Sequence, residues 1–206
     1  FKKSKFTFIP GTGIDTELFK PSLNRFNNRD INFYMISRII RDKGVFEYFD
    51  AVKNISPRFP RVKFNYVGDF DFENPSAISK EIFFNHIEKL NIKYFKFFKN
   101  IKVILNKADC IIHPSYREGM SRVLLESASM QVPIITTKVA GCKEIVKDNY
   151  NGFLCKPRCA NDLAKSISKF IQLTYEKKKK LSLNGRNLIK DKFDQKIIIK
   201  KYLKLL

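Results

Sequence analysis

The sequence has no tryptophan, two histidines and four cysteines in 206 residues. Cys155 and Cys159 form one x3 pair with no second pair to complete a zinc site. Together with Cys110 and Cys142 they read instead as buried thiols in a reducing compartment. No apolar run approaches the ~20 residues of a membrane span, and no signal peptide opens the chain, so a cytoplasmic location is expected. On that ground Asn54-Ile55-Ser56 is a chance match to a glycosylation sequon. Pro10-Gly11-Thr12-Gly13 is a turn cluster and not the dinucleotide fingerprint, which needs G-x-G-x-x-G opening a helix.

Acidic residues are also scarce: 20 Asp and Glu stand against 40 Lys and Arg, a formal charge of +20. Residues 156–206 hold 15 basic and 4 acidic side chains, net +11, so more than half the excess lies in a quarter of the chain. Charge speaks to partners rather than to fold. An anionic membrane surface, nucleic acid and a lysine-rich proteome each account for it. No RNA- or DNA-binding motif accompanies the charge, so nucleic acid is not an expected partner.

What is present is a core. With 44% hydrophobic residues and 20 Phe, the chain can bury one large domain. Short apolar runs at 31–37, 62–67, 93–98, 109–113 and 133–136 read as buried strands, with a further short strand at 151–154. Helical patterns lie between them at 45–55, 76–90 and 159–173, followed by 176–189 and 195–206. In the helix at 76–90, Ile78, Ile82, Ile87 and Leu90 form the expected core side. Strand, helix and strand joined by short links is the βαβ crossover of a parallel sheet, an α/β fold. His86 falls inside a helix and is expected half-exposed. His113, before Pro114, reads as a packed strand-end residue, with a place at the ligand edge as the alternative.

The stretch 108–146 organises the rest. Its loop 115–121 follows a strand and opens a helix, at the edge of the sheet where ligands bind. Free N–H groups at Gly119, Met120 and Ser121, with the helix dipole, favour an anion such as phosphate. Glu118 precedes the helix and Glu126 lies eight residues on, ~12 Å along the axis at ~1.5 Å per residue. A carboxylate pair cleaving one glycosidic bond needs roughly 5–10 Å, so these two suit the ends of one long ligand. Val123, Leu124, Leu125 and Ala128 form the expected buried side, leaving Glu126 on a polar flank. The plainer reading makes Glu118 a dipole partner and Glu126 a solvated helix residue. Arg38 and Lys43 sit around the turn after the strand at 31–37, at the same edge of the sheet.

Glu118-x7-Glu126, set in P-S-Y-R-E-G-M-S-R-V-L-L-E and followed by P-I-I-T-T-K-V-A-G-C-K-E-I-V, resembles the donor site of retaining GT-B glycosyltransferases. These include bacterial polysaccharide and lipid-linked oligosaccharide transferases. S-R-I-I-R-D-K-G resembles the family's Arg/Lys element, and the segment opening I-P-G-T-G-I-D resembles the strand that begins the family's C-terminal half. The resemblance implies a Rossmann-like doubly wound parallel sheet with helices on both faces. It implies that Arg38 and Lys43 hold a nucleotide diphosphate and that Glu118 contacts sugar hydroxyls. Glu126 would contact the ribose, with Gly119, Met120 and Ser121 at the diphosphate. Arg38, Lys43 and Glu118 are then the catalytic candidates. The donor is expected to be a UDP-linked hexose or N-acetylhexosamine, with no cofactor and no metal. Asp69-x-Asp71 matches a metal-binding motif of a different glycosyltransferase fold, but Arg38 and Lys43 already supply the positive charge. Lys96 stands where a glycine is usual beside the nucleobase, so no base contact is assigned.

On this reading the chain, which opens on Phe1, is a donor-binding domain over 1–206. Residues 1–20 form the entry strand, 194–206 a crossover helix, and the N-terminal acceptor domain is missing. A lipid-linked acceptor, peripheral attachment to the inner membrane face and self-association through the terminal helix are further expectations. The alternatives are a non-catalytic nucleotide-sugar-binding module, a basic nucleic-acid-binding protein, or another GT-B activity such as an epimerase or a phosphorylase.

Overall fold

Six short, mostly apolar runs supply the framework. The computed structural model describes residues 9, 11, 13–21, 26, 30–97 and 100–205. Its strands are β1 (Ile31–Ile36), β2 (Val62–Val67), β3 (Lys93–Phe95), β4 (Cys110–His113), β5 (Ile134–Thr137) and β6 (Gly152–Cys155). All pair in parallel in one sheet of order β3-β2-β1-β4-β5-β6. The chain winds outward from β1 to β3, then returns to lay β4 on the other side of β1. The order therefore reverses between β1 and β4, which is where such sheets open a crevice for ligands.

The helices are α1 (Val45–Ile55), α2 (Lys80–Lys89), α3 (Ile101–Lys107), α4 (Arg122–Ser129), α5 (Cys142–Ile145), α6 (Ala160–Ile171), α7 (Tyr175–Lys192) and α8 (Gln195–Leu203). The two-residue alternation of the strands divides the core into two layers. Phe33 and Met35 join Phe49, Val52, Phe83 and Ile167 on one side of the sheet. Tyr34 and Ile36 join Leu105, Leu124, Ile145 and Ile189 on the other. Burying each such side chain contributes about 1.5–3 kcal/mol, so both layers are needed to fix the strand ends that carry the site. The doubly wound α/β fold that the resemblance implied is the fold found.

Two boundaries differ in an informative way. α2 starts at Lys80 rather than residue 76, because Ser79 accepts a hydrogen bond from the Ile82 N–H and caps it. Ile78 is consequently a buried loop residue, and the helix buries Phe83 and Ile87 while Ile82 is exposed. β3 ends at Phe95. Of the expected entry strand over 1–20, residues 1–8, 10 and 12 lie outside the described ones.

The terminal helix is tied to the start of the described chain. Ile14 donates to the Phe193 carbonyl and accepts from the Gln195 N–H, both at 2.9 Å. Thr16 donates to the carboxylate of Asp194, which also caps α8. Ile198 is buried, whereas Ile199, Tyr202 and Leu203 are exposed. No helix among the described residues is long and apolar enough to cross a membrane.

Candidate functional site

The two loops at the β1/β4 reversal are locked together through their backbones. After β1 the chain makes a single 3-10 turn (Arg41–Lys43) and enters α1 through Gly44. After β4 it runs through Pro114 to Ser121, the residue before α4. The Tyr116 N–H donates to the Asp42 carbonyl at 2.8 Å, and the Ser115 hydroxyl reaches the same oxygen at 3.2 Å. Gly44 has φ +74°, and a Cβ there would stand 2.2 Å from the Pro114 carbonyl oxygen. Gly141, φ +75°, closes the other flank: a Cβ would stand 1.5 Å from the carbonyl oxygen of Gly119. Only glycine permits either approach. At Gly119 itself an added Cβ would meet no protein atom within 4 Å, so packing does not demand glycine there.

These constraints bring Lys43 to Glu118. The ammonium lies 2.5 Å from Oε1, and the side chains are 18% and 12% exposed. A third group, unassigned by the sequence, joins them. His113, the last residue of β4, places Nε2 2.7 Å from the same Glu118 oxygen. Burial alone would raise the Glu118 carboxyl. The bonds and electrostatic attraction of His113 and Lys43 outweigh it and hold the group down at about 2. Glu118 is therefore ionised across the physiological range. The signal for His113 was its position, one turn of loop before Glu118 at the end of a strand; what sequence alone left open was where its ring would point.

The remaining candidates lie around this pair with different partners. Arg38, just past β1 at the same edge of the sheet, is more than half exposed and bonds Asp71 at 2.6 Å. The Asp69-x-Asp71 element thus contributes a counter-ion to Arg38. Gly119, Met120 and Ser121 lead into α4, and Ser121 makes no side-chain cap bond, so first-turn N–H groups are not satisfied by a cap.

Glu126 corrects an expectation: it is buried, 5% exposed, and not on a polar flank. α4 is enclosed on several sides. α7 packs on it, with Gly185 against Ala128, and Ser129 donates to the Phe19 carbonyl. Arg122, one turn earlier, reaches Glu126 at 2.8 Å from a largely exposed position. Burial raises the Glu126 carboxyl, and Arg122 only partly offsets it.

Cys110, Cys142 and Cys155 are buried free thiols, and Cys159 is half-buried. Burial lifts Cys142, which lies near Glu118, to about 11, so it is an inert thiol at neutral pH. The described residues contain no cluster of three or more His, Cys, Asp or Glu arranged to hold a metal ion. Chemically, the site offers two cations and a row of helix N–H groups for negative charge, with a fixed carboxylate for hydroxyls.

Comparison with known proteins identifies the family and the fold. The family model described as glycosyl transferases group 1 matches residues 16–188. The capsular polysaccharide biosynthesis glycosyltransferase CapM of Staphylococcus aureus is 27% identical over 207 residues, covering 96% of this chain and 54% of the relative. The N,N'-diacetylbacillosaminyl-diphospho-undecaprenol alpha-1,3-N-acetylgalactosaminyltransferase of Campylobacter jejuni is 27% identical over 217 residues, covering 99% and 54%. The chain spans about half the length of the curated relatives it matches. The crystal structure of Anabaena HepE in complex with UDP and glucose superposes with a TM-score of 0.80 over 94% of this chain and 54% of that one, at 23% identity, a likeness of fold.

Proposed function

Because the chain belongs to the glycosyl transferases group 1 family, we propose that it is the donor-binding part of a retaining glycosyltransferase. It takes a hexose or N-acetylhexosamine from a UDP-linked donor and passes it to a glycan or lipid-linked acceptor in cell-surface polysaccharide or oligosaccharide synthesis. The observation that carries this reading is the Lys43–Glu118 pair at the sheet's reversal, with Arg38 at the neighbouring strand end. One named relative is a glycosyltransferase of capsular polysaccharide biosynthesis, the other acts on a diphospho-undecaprenol sugar, and the solved neighbour is a UDP complex, which supports the donor and acceptor classes. The basic excess of residues 156–206 supports work beside an anionic membrane.

A nucleoside diphosphate is a good leaving group, so the residues have no need of a strong general acid. Their task is to hold the negative charge that develops as the glycosidic bond breaks. Arg38 and Lys43 meet the diphosphate oxygens, and the N–H groups around Gly119 to Ser121 meet them from the helix end. Glu118 accepts bonds from sugar hydroxyls, and Glu126 from the ribose, at the two ends of the ligand. The acceptor hydroxyl attacks on the face the diphosphate leaves, which retains configuration. A thermal-shift screen of nucleotides and nucleotide-sugars tests the reading, because a ligand that binds only the folded state raises its melting temperature. Stabilisation by UDP and a UDP-sugar is expected; no response to any nucleoside diphosphate would reject the reading.

A further inference from the structure

One oxygen of Glu118 takes two donors, and they are not equivalent. Lys43 arrives from a turn on a four-carbon stem with three N–H groups, so it can rotate toward a phosphate while its backbone stays still. His113 cannot. Its side chain is 4% exposed, and its backbone is pinned in the β4–β5 ladder opposite Thr136. The Thr136 hydroxyl also bonds the His113 carbonyl at 2.7 Å. An imidazole on two torsions, packed in that way, holds Nε2 in one direction, and Glu118 Oε1 lies in it at 2.7 Å.

We infer that His113 is a positioning residue for donor recognition. It keeps the Glu118 carboxylate aimed while Lys43 exchanges Glu118 for the diphosphate. The inference rests on the proposed reading of the site as a nucleotide-sugar site. Without His113, the departure of Lys43 would leave a largely buried carboxylate with no charged or N–H partner from this pair, which is costly and leaves its direction unset. With His113 in place, the cation is released to the leaving group without disturbing the sugar contact. The pair then divides the labour: Lys43 serves the charge of the diphosphate, and His113 serves the hydroxyl selectivity of Glu118.

Titration calorimetry with UDP, UDP-glucose and UDP-N-acetylglucosamine tests this on wild type, His113→Leu, His113→Gln and Glu118→Ala, with melting temperatures measured in parallel. For a UDP-sugar that wild type binds, the ratio of its Kd to that of UDP is expected to rise about tenfold in His113→Leu, the loss of one bond to a charged group. The Kd for UDP itself should stay within about twofold. His113→Gln, whose amide N–H can replace Nε2–H, should restore the ratio. An unchanged ratio in His113→Leu, beside a raised one in Glu118→Ala, would overturn the inference and leave the donor-site reading standing. Equal weakening of UDP and UDP-sugar with a matching fall in melting temperature would reduce His113 to a structural role, again overturning it. If wild type binds neither UDP nor a UDP-sugar, or Glu118→Ala leaves the ratio unmoved, the donor-site reading falls and this inference with it.

Discussion

Glu118, in the loop before α4, and Glu126, inside that helix, stand eight residues apart, both largely removed from water, and their carboxyl groups are displaced in opposite directions. Glu118 is held down at about 2, while Glu126 is raised. Burial acts alike on both; the donors differ. Glu118 meets a half-buried ammonium carried on a turn and a buried imidazole fixed at a strand end. Glu126 meets one guanidinium that is 78% exposed and shared with solvent. A carboxylate at a protein's ligand edge is therefore set by how well its donors are anchored, and burial alone would have misjudged one of the two. The Glu118 end is preorganised. The Glu126 end carries a desolvated charge that Arg122 offsets only in part.

The bluntest way to break the Glu118 end is Gly141→Ala. A methyl 1.5 Å from the Gly119 carbonyl oxygen at positive φ forces the two loops apart. A loss of about 3 kcal/mol or more is expected, seen as a melting temperature lower by roughly 10 °C. Next is Glu118→Gln, expected to cost about 2 kcal/mol, or roughly 5 °C. Its pH dependence follows from the sign of the shift. The carboxyl falls from an unfolded value of 4.5 to about 2, so ionised Glu118 contributes stability above pH 4.5 that is lost as pH falls through about 2. The gap between wild type and Glu118→Gln should be full near neutrality and close over that window.

Smaller again are Lys43→Ala and Arg38→Ala, each expected to cut turnover of the whole enzyme at least about tenfold, or ~1.4 kcal/mol of barrier. Unchanged turnover would remove their proposed role. The smallest effect belongs to Glu126→Gln. Removing a charge whose burial is only partly offset should leave stability at neutral pH unchanged or raised by up to about 1 kcal/mol, opposite in sign to Glu118→Gln. If both glutamine variants destabilise equally, the two ends are alike and the contrast fails.

The sheet was readable from sequence because its strands are short apolar runs whose ends are marked by turns, and runs such as 31–36 and 134–137 have no other place than a buried parallel sheet. Lys43 and Glu118 were readable as types and spacings at strand ends. Less legible was anything that depends on two distant segments meeting side chain to side chain. Asp71 as the partner of Arg38 requires β1 and β2 to be neighbours and their exit loops to turn toward each other. The enclosure of Glu126 comes from α7, through Gly185, and from the segment around Phe19, both distant along the chain. His113 was visible, but its ring direction is set by the ladder to β5. Ile82, expected on the core side, is exposed, and Phe83 takes the buried position in the helix that Ser79 caps.

The backbone exchange between Ile14 and the Phe193–Gln195 corner has a consequence for shortening the protein. Cutting away residues 193–203 and cutting away residues 13–19 are one lesion, since each strips the other of its hydrogen bonds and opens the seat of Ile198. Two deletions far apart in the sequence should thus produce the same unravelling, and a clip joining those two segments should protect both.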